Sequence, residues 1–272
     1  MTTLIRCVDV ETTGIDPAVH RVCEIATVDV IISKNKLPDM ESGGSVIKDN
    51  ALMTVERGAM WSSIINPGIP IPPEASGIHD ITDEMVKDAP SSGDVLMHIA
   101  AMDPPDYYCA HNSRFDSKFF MPEDAVWLDT YRIALWLWPS APEHKLATLR
   151  YWLKLKLESF RDALDAVVMA YGREYLPLRR GHLAILDAYI CAAVLRRAFM
   201  AGATIEQMVE VSSQPALLPK FYFGKNAGVP IEKIDGGYLD WIMSQRGMDE
   251  DVTHTAFTEL QRRRNLERLQ SS

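Results

Sequence analysis

Residues 8–14 read VDVETTG, which puts Asp9 and Glu11 on alternate positions of what is otherwise a buried-strand pattern. Leu4, Ile5, Val8 and Val10 make the surroundings apolar, and Thr12-Thr13-Gly14 closes the run. Successive strand residues point to opposite faces, so the two acids share one face and the two valines the other. Like charges at that spacing repel, and an unpaired buried carboxylate is costly. A bound cation, a basic side chain or protonation would each relieve the cost. The pair alone does not choose among them, since most such pairs are edge or solvated carboxylates.

The chain of 272 residues has room for one large domain, or for a domain and a smaller appendage. Its 47% hydrophobic content fits a globular protein. No apolar run approaches the roughly 18 residues of a membrane span, and the N-terminus lacks the basic-then-apolar pattern of a secretory signal. The expectation is a cytoplasmic protein without a membrane partner. Cys7, Cys23, Cys109 and Cys191 are scattered among apolar neighbours with no C-x-x-C pair, which reads as reduced core thiols. A zinc cluster would require three or more of them to converge from distant elements, and none is expected.

The net charge of −9 argues against a uniformly basic, nucleic-acid-coating surface. Its distribution is uneven: residues 1–112 carry 7 Lys and Arg against 17 Asp and Glu, residues 113–213 carry 13 against 12, and residues 214–272 carry 8 of each. The acidic surplus sits in the segment that holds VDVETTG. An acidic protein still binds a polyanion where cations and a local basic rim act at the site.

Alternation and breakers predict strands over 4–10, 22–33 and 60–66, in an antiparallel meander interrupted at 34–57 by a polar stretch that reads as a hairpin excursion or a flexible insertion. Helical spacing follows over 82–88 and 92–102, then short strands at 107–110 and 126–128, each leading into a helix (113–120 and 131–138). Further helices are expected over 145–154, 160–171, 182–200 and 205–211. After the SSQPALLP stretch, which reads as a linker, come helices at 236–245 and 249–269. Strands first, then alternating helices and strands, indicate an α/β domain with a mixed sheet.

Two more acids stand out. Asp116 follows a short strand in AHNSRFD (110–116), where an ordinary first-turn acid is one reading and a ligand the other. Asp187 is the sole acid in the apolar run 182–200, an expensive place for an unpartnered carboxylate. His182, five residues earlier, falls in the loop entering that helix, so its imidazole is movable. Four carboxylates from separate elements with a nearby imidazole suit Mg²⁺ or Mn²⁺, whose preferred ligands are oxygen. Two such ions about 3.5–4 Å apart are the apparatus of phosphoryl displacement.

VDVETTG, AHNSRFD and HLAILD (182–187), in that order, resemble the three motifs of the DEDDh superfamily of 3′–5′ exonucleases. The resemblance covers about residues 4–200. It implies a ribonuclease-H-like fold, an α/β mixed sheet flanked by helices, with two Mg²⁺ (or Mn²⁺) held by Asp9, Glu11, Asp116 and Asp187. It further implies His182 as general base, and a pocket for the 3′-terminal nucleotide built from the Thr12, Thr13, Gly14 and Ile15 backbone with His79, Asn112 and Phe115 beside it. GIHDIT (77–82) is similar to a family element near the site, with Asp80 where glycine is usual. The tail PKFYFGKNAGVPIEKIDGGYLDWIM (219–243) is similar to that of exonuclease X-like proteins, departing from it at Asn226-Ala227. The implied organisation is an exonuclease domain over 1–211, with an insertion at about 34–58, and a small C-terminal extension over 212–272. Arg114, Lys118, Lys145, Arg179 and Arg180 are candidates for phosphate contacts. The substrate expected is DNA with a free 3′ end, cut to 5′-mononucleotides, and the extension could engage a polymerase or repair partner. An RNA-directed exoribonuclease and a polymerase-associated proofreading or binding module are the alternatives.

Overall fold

The computed structural model describes residues 2–34, 43–48, 51–120, 124–156, 165 and 182–270. Four strands come first: β1 (Thr2–Thr12), β2 (Val22–Lys34), β3 (Gly43–Lys48) and β4 (Ala51–Ile64). Then follow α1 (Pro73–His79), α2 (Asp83–Val86), α3 (Ser92–Ala100), β5 (Tyr107–Ala110), α4 (Ser113–Phe119), β6 (Trp127–Asp129), α5 (Thr130–Leu137) and α6 (Leu146–Trp152). The long helix α7 (Ala184–Met200), α8 (Ile205–Ser213), α9 (Gly236–Ser244) and α10 (Glu250–Gln270) complete the described chain. The helix expected over 160–171, and Arg179 and Arg180, lie outside the described residues.

One six-stranded sheet runs β3-β4-β2-β1-β5-β6. β1, β2, β4 and β3 pair antiparallel, whereas β5 pairs parallel to β1 and β6 parallel to β5. The sheet is mixed and flanked by helices, as expected from strands that come first and then alternate with helices. Its two faces follow from the two faces of β1. Ile5 and Cys7 pack with Ala184, Ala188 and Val194 of α7, while Val8 and Val10 pack with Val95 and Ile99 of α3. Ser91 and Asp94 form a capping box at the start of α3, the local signal that the sequence carries there.

Two expectations need correction. The strand expected at 60–66 begins instead at Ala51. Its first half is in register with the end of β2, Val55 opposite Ile32 and Arg57 opposite Val30. Val55 is buried while polar neighbours take the other face, so a half-polar strand resembles a loop. The hairpin β3–β4 is thus part of the sheet. The linker is not free either: Ala216 N–H donates to Asp251 Oδ1 (2.8 Å) and Leu218 N–H to Thr255 Oγ1 (2.9 Å), which tie it to α10. The four cysteines are free and buried, as expected, and three of them lie together. Cys7, Cys109 and Cys191 come from β1, β5 and α7, and their sulfurs lie within 4.8 Å of one another in the core.

A second apolar cluster joins Leu135 of α5 to Phe221, Ile231, Leu239, Ile242 and Ala256 of the C-terminal segment. Arg262-Arg263-Arg264, which reads as a solvated run, partly closes this unit. Arg262 and Arg263 both bind Glu259, at 2.6 and 2.7 Å, and hold its carboxyl down at about 2. Arg263 also donates to the Ile231 and Glu232 carbonyls.

Candidate active site

β1 delivers Asp9 and Glu11 to the end of its α7-facing side, beyond Ile5 and Cys7, where the apolar packing stops. α7 starts at that level, and Asp187 lies in its first turn. The parallel strand β5 ends beside β1, and Asn112 turns the chain into α4 with a left-handed backbone (φ 72°), a conformation asparagine tolerates. That turn aims Asp116 back at β1, where its Oδ1 accepts the Val10 backbone N–H at 3.2 Å. All four carboxylates and His182 line one cleft of about 550 Å³, with Thr12, Thr13, Gly14, Ile15, His79, Asn112 and Phe115 also on its wall. The residues expected as metal ligands, as base and beside the terminal nucleotide therefore lie around this cleft.

The cleft is electrostatically unbalanced. Burial pushes the Asp9 carboxyl well above the usual range, and the charges of Asp187, Asp116 and Glu11 push it further. Burial also raises Asp116, against the opposing Val10 hydrogen bond. Glu11, His182 and Asp187 each offer a ligand atom within 4.8 Å of the others. Crowded carboxylate oxygens with raised proton affinity fit divalent oxophilic cations.

His182 precedes α7, as expected. Its backbone N–H donates to the Ile78 carbonyl, and its Nδ1–H donates to Asp187 Oδ2 at 2.9 Å. Five residues apart on a regular helix, the two would diverge; with His182 in the loop, they meet. The bond to Asp187 raises the imidazole pKa, while partial burial opposes it.

The Thr12–Ile15 segment forms one wall of the cleft. Thr12 and Thr13 are buried, with Thr12 Oγ1 donating to the Gly14 carbonyl and Thr13 Oγ1 accepting from Arg21 N–H. A Cβ at Gly14 would lie 2.5 Å from the His20 ring, so any side chain there would have to displace that ring. Ile15 stands 81% exposed at the rim. His79 is 2% exposed: its Nδ1 accepts from Ile81 N–H and its Nε2–H donates to the Thr12 carbonyl. It holds the strand end in place from behind. Asp80 takes the left-handed conformation (φ 59°), the backbone that glycine would adopt most cheaply.

Sequence reading missed Asp129. This carboxylate, 1% exposed, accepts from the Asn112 and Ser113 N–H groups and from Tyr131 N–H, which fixes the turn into α4 and the start of α5. A strand-end Asp before a helix was its only local signal. Its neighbour Arg132 is buried and reaches Asp251 of α10 at 2.9 Å. Arg114, a candidate phosphate contact, is engaged by Glu250 and Asp251, whereas Lys145 lines a groove that opens from the same carboxylates.

The four carboxylates and the histidine of this cleft come from β1, α4, α7 and the loop before α7, and comparison with known proteins gives the family. Residues 7–195 match the RNase T exonuclease family, so the chain belongs to that family, as a 3′–5′ exonuclease with the DEDDh motif set. Exodeoxyribonuclease 10 of Escherichia coli K12 is 29% identical over 245 residues, 89% of this chain and 91% of that protein. DNA polymerase III PolC-type of Thermotoga maritima is 29% identical over 189 residues, 70% of this chain but 11% of the polymerase. Among solved structures, exonuclease X in complex with 5′ overhanging duplex DNA superposes with a TM-score of 0.53 at 26% identity, covering 76% of this chain and 99% of that one. Among the described residues, no helix is long and apolar enough to cross a membrane.

Proposed function

We propose that the chain is a divalent-metal-dependent 3′–5′ exodeoxyribonuclease that releases 5′-mononucleotides. The observation that carries this reading is the convergence of Asp9, Glu11, Asp116, Asp187 and His182 in one cleft whose wall also includes Thr12, Thr13, Gly14 and Ile15. A DNA substrate is supported by the exodeoxyribonuclease that the chain resembles over nearly its whole length. We assign 1–211 to catalysis and 212–272 to an extension that contacts substrate or a replication or repair partner.

Asp9, Glu11, Asp116 and Asp187 would hold two Mg²⁺ or Mn²⁺ ions, their mutual repulsion being what the cations relieve. Bound there, such ions activate the attacking water and neutralise the charge that builds on the phosphate. The backbone at Thr12–Ile15 receives the terminal sugar, Phe115 covers the terminal unit, and Asn112 borders it. This pocket accepts a chain end and so sets the polarity of attack. His182 takes the proton from the attacking water, a contribution of roughly 10²- to 10⁴-fold. For this it leaves Asp187, which its position in the loop before α7 allows.

The test is degradation of 3′- and 5′-labelled DNA and RNA oligonucleotides with Mg²⁺, Mn²⁺ or EDTA. Mononucleotide release from DNA 3′ ends that EDTA stops is the expected result. Hydrolysis that survives EDTA, or none with either metal, rejects the proposal.

A further inference from the structure

Cys7, Cys109 and Cys191 take no part in the chemistry proposed above, yet three separate elements bring them together. Cys7 of β1 and Cys109 of β5 are register partners across the parallel strand pair, and Cys191 of α7 lies in the same buried core cluster. All three sulfurs lie within 4.8 Å of one another, with Cys109 Sγ 3.8 Å from Cys191 Sγ. Filling space does not require sulfur there. Val28, the partner of Cys7 on the other side of β1, fills the same layer as a buried aliphatic side chain.

What three sulfurs at this spacing add is a ligand set. An ion bound to three thiolates through bonds of about 2.3 Å, the zinc–sulfur length, holds the sulfurs about 4 Å apart. The Cys109–Cys191 separation is already close to that value. Soft thiolates select Cu(I) and Zn²⁺, and the number of donors separates the two. Structural zinc is almost always four-coordinate, and among the described residues no fourth histidine, cysteine or carboxylate joins the three sulfurs. Thr130 Oγ1 lies 3.3 Å from Cys191 Sγ, but that hydroxyl already meets the Ala110 carbonyl at 3.2 Å and His111 Nδ1 at 2.9 Å. Three sulfurs without a fourth donor suit Cu(I), a soft ion that is content with three ligands. The oxygen-lined cleft above them suits hard cations, so the two sets of donors select different metals.

We propose that Cys7, Cys109 and Cys191 form a binding site for one Cu(I) ion, a clasp that joins β1, β5 and α7 beneath the carboxylates. Asp9 follows Cys7 on the same face of β1, and Asp187 precedes Cys191 by about one helical turn, so the clasp fixes both acids from below. The thiols are buried in the finished fold, so the ion enters during folding, and the thiol protons pass to solvent as it binds. The proposal does not depend on the nuclease reading, because its test reads copper and not hydrolysis. The full chain is refolded without oxygen in the presence of Cu(I), then washed with Mg²⁺ and with bicinchoninate, a Cu(I) chelator. Copper analysis should give one ion per wild-type chain, and X-ray absorption at the copper edge should give three sulfur neighbours. Cys109→Ala and Cys191→Ala should each lose the ion to the chelator, whereas Asp9→Asn should keep it. Refolded wild type that retains no copper, or whose spectrum shows oxygen or nitrogen neighbours, overturns the proposal. Equal retention by wild type and the folded alanine variants also overturns it, as does loss of the ion from folded Asp9→Asn, which would place copper among the carboxylates. The absorption spectrum needs only the wild-type chain, so the test stands even where an alanine variant does not fold.

Discussion

The Nδ1–H of His182 donates to Oδ2 of Asp187 at 2.9 Å, which joins the proposed general base to a proposed metal ligand. In this arrangement the imidazole rests on the carboxylate cluster and partly offsets its charge. Cations that take over Asp187 would release the ring toward the attacking water. His182→Ala should lower kcat by roughly 10²- to 10⁴-fold and flatten the acidic limb of the pH–rate profile. Metal affinity, read by calorimetry, should change little, because an imidazole is not needed among oxygen ligands. A folded variant within a few-fold of wild-type turnover would take His182 out of the mechanism.

The same contact predicts a pH dependence of the metal-free protein. Asp187 raises the His182 pKa above its unfolded value. The stabilising contribution is therefore complete below the ordinary histidine value and disappears as pH rises through the raised folded value. Thermal unfolding in EDTA should show this loss in wild type and not in His182→Ala. Parallel curves for the two proteins would mean that the contact contributes nothing to stability.

Asp9→Asn should abolish hydrolysis yet raise the metal-free melting temperature. Burial and three neighbouring acids make an ionised Asp9 unfavourable, and the amide removes one charge from that cluster. Differential scanning calorimetry in EDTA, paired with the nuclease assay, checks both halves. A melting point that falls would show that Asp9 has a stabilising partner in the metal-free fold.

Asp129→Ala should cost about 3–5 kcal/mol in denaturant unfolding, the usual loss on removing one member of a buried charged pair. Its oxygens accept backbone N–H groups from two elements, and Arg132 sits 3.7 Å away. A loss under about 1 kcal/mol, typical of surface changes, would show that α4 is placed without it.

Cutting the chain after residue 211 should destabilise what remains. Leu135 would lose its apolar cover, and buried Arg132 would lose Asp251. Asp251→Ala removes the partner of Arg132 together with the acceptor of the Ala216 N–H and should cost about 1–3 kcal/mol, the loss expected when a buried donor is left unmet. Equal urea midpoints for Asp251→Ala and wild type would show that the extension does not brace α5.

The site was legible because its residues break the surrounding pattern. Asp9, Glu11 and Asp187 are acids in apolar runs, each with an ordinary explanation when taken alone, and it is their order along the chain with AHNSRFD that pointed to one site. What stayed hidden depends on distant partners. Arg6 and Asp29 form a buried bidentate pair across β1 and β2 at 2.8 and 3.0 Å, yet each looks locally like an outward-facing strand charge. The first half of β4 alternates with polar residues, and only its register against β2 makes it a strand. The role of Asp129 and the grip of Arg132 on Asp251 arise from chain turns and from a contact spanning over a hundred residues, beyond the reach of local periodicity.

The thiols of Cys7, Cys109 and Cys191 meet where β1, β5 and α7 join. No bulky reagent reaches them while that joint is closed. Their rate of alkylation is therefore a clock for its opening. Because the joint carries Asp9 at one edge and Asp187 at another, the clock times the breathing of the catalytic platform itself, without substrate or turnover. Cations that bridge the platform should slow it, so that occupancy of the site can be followed from thiols that never touch it.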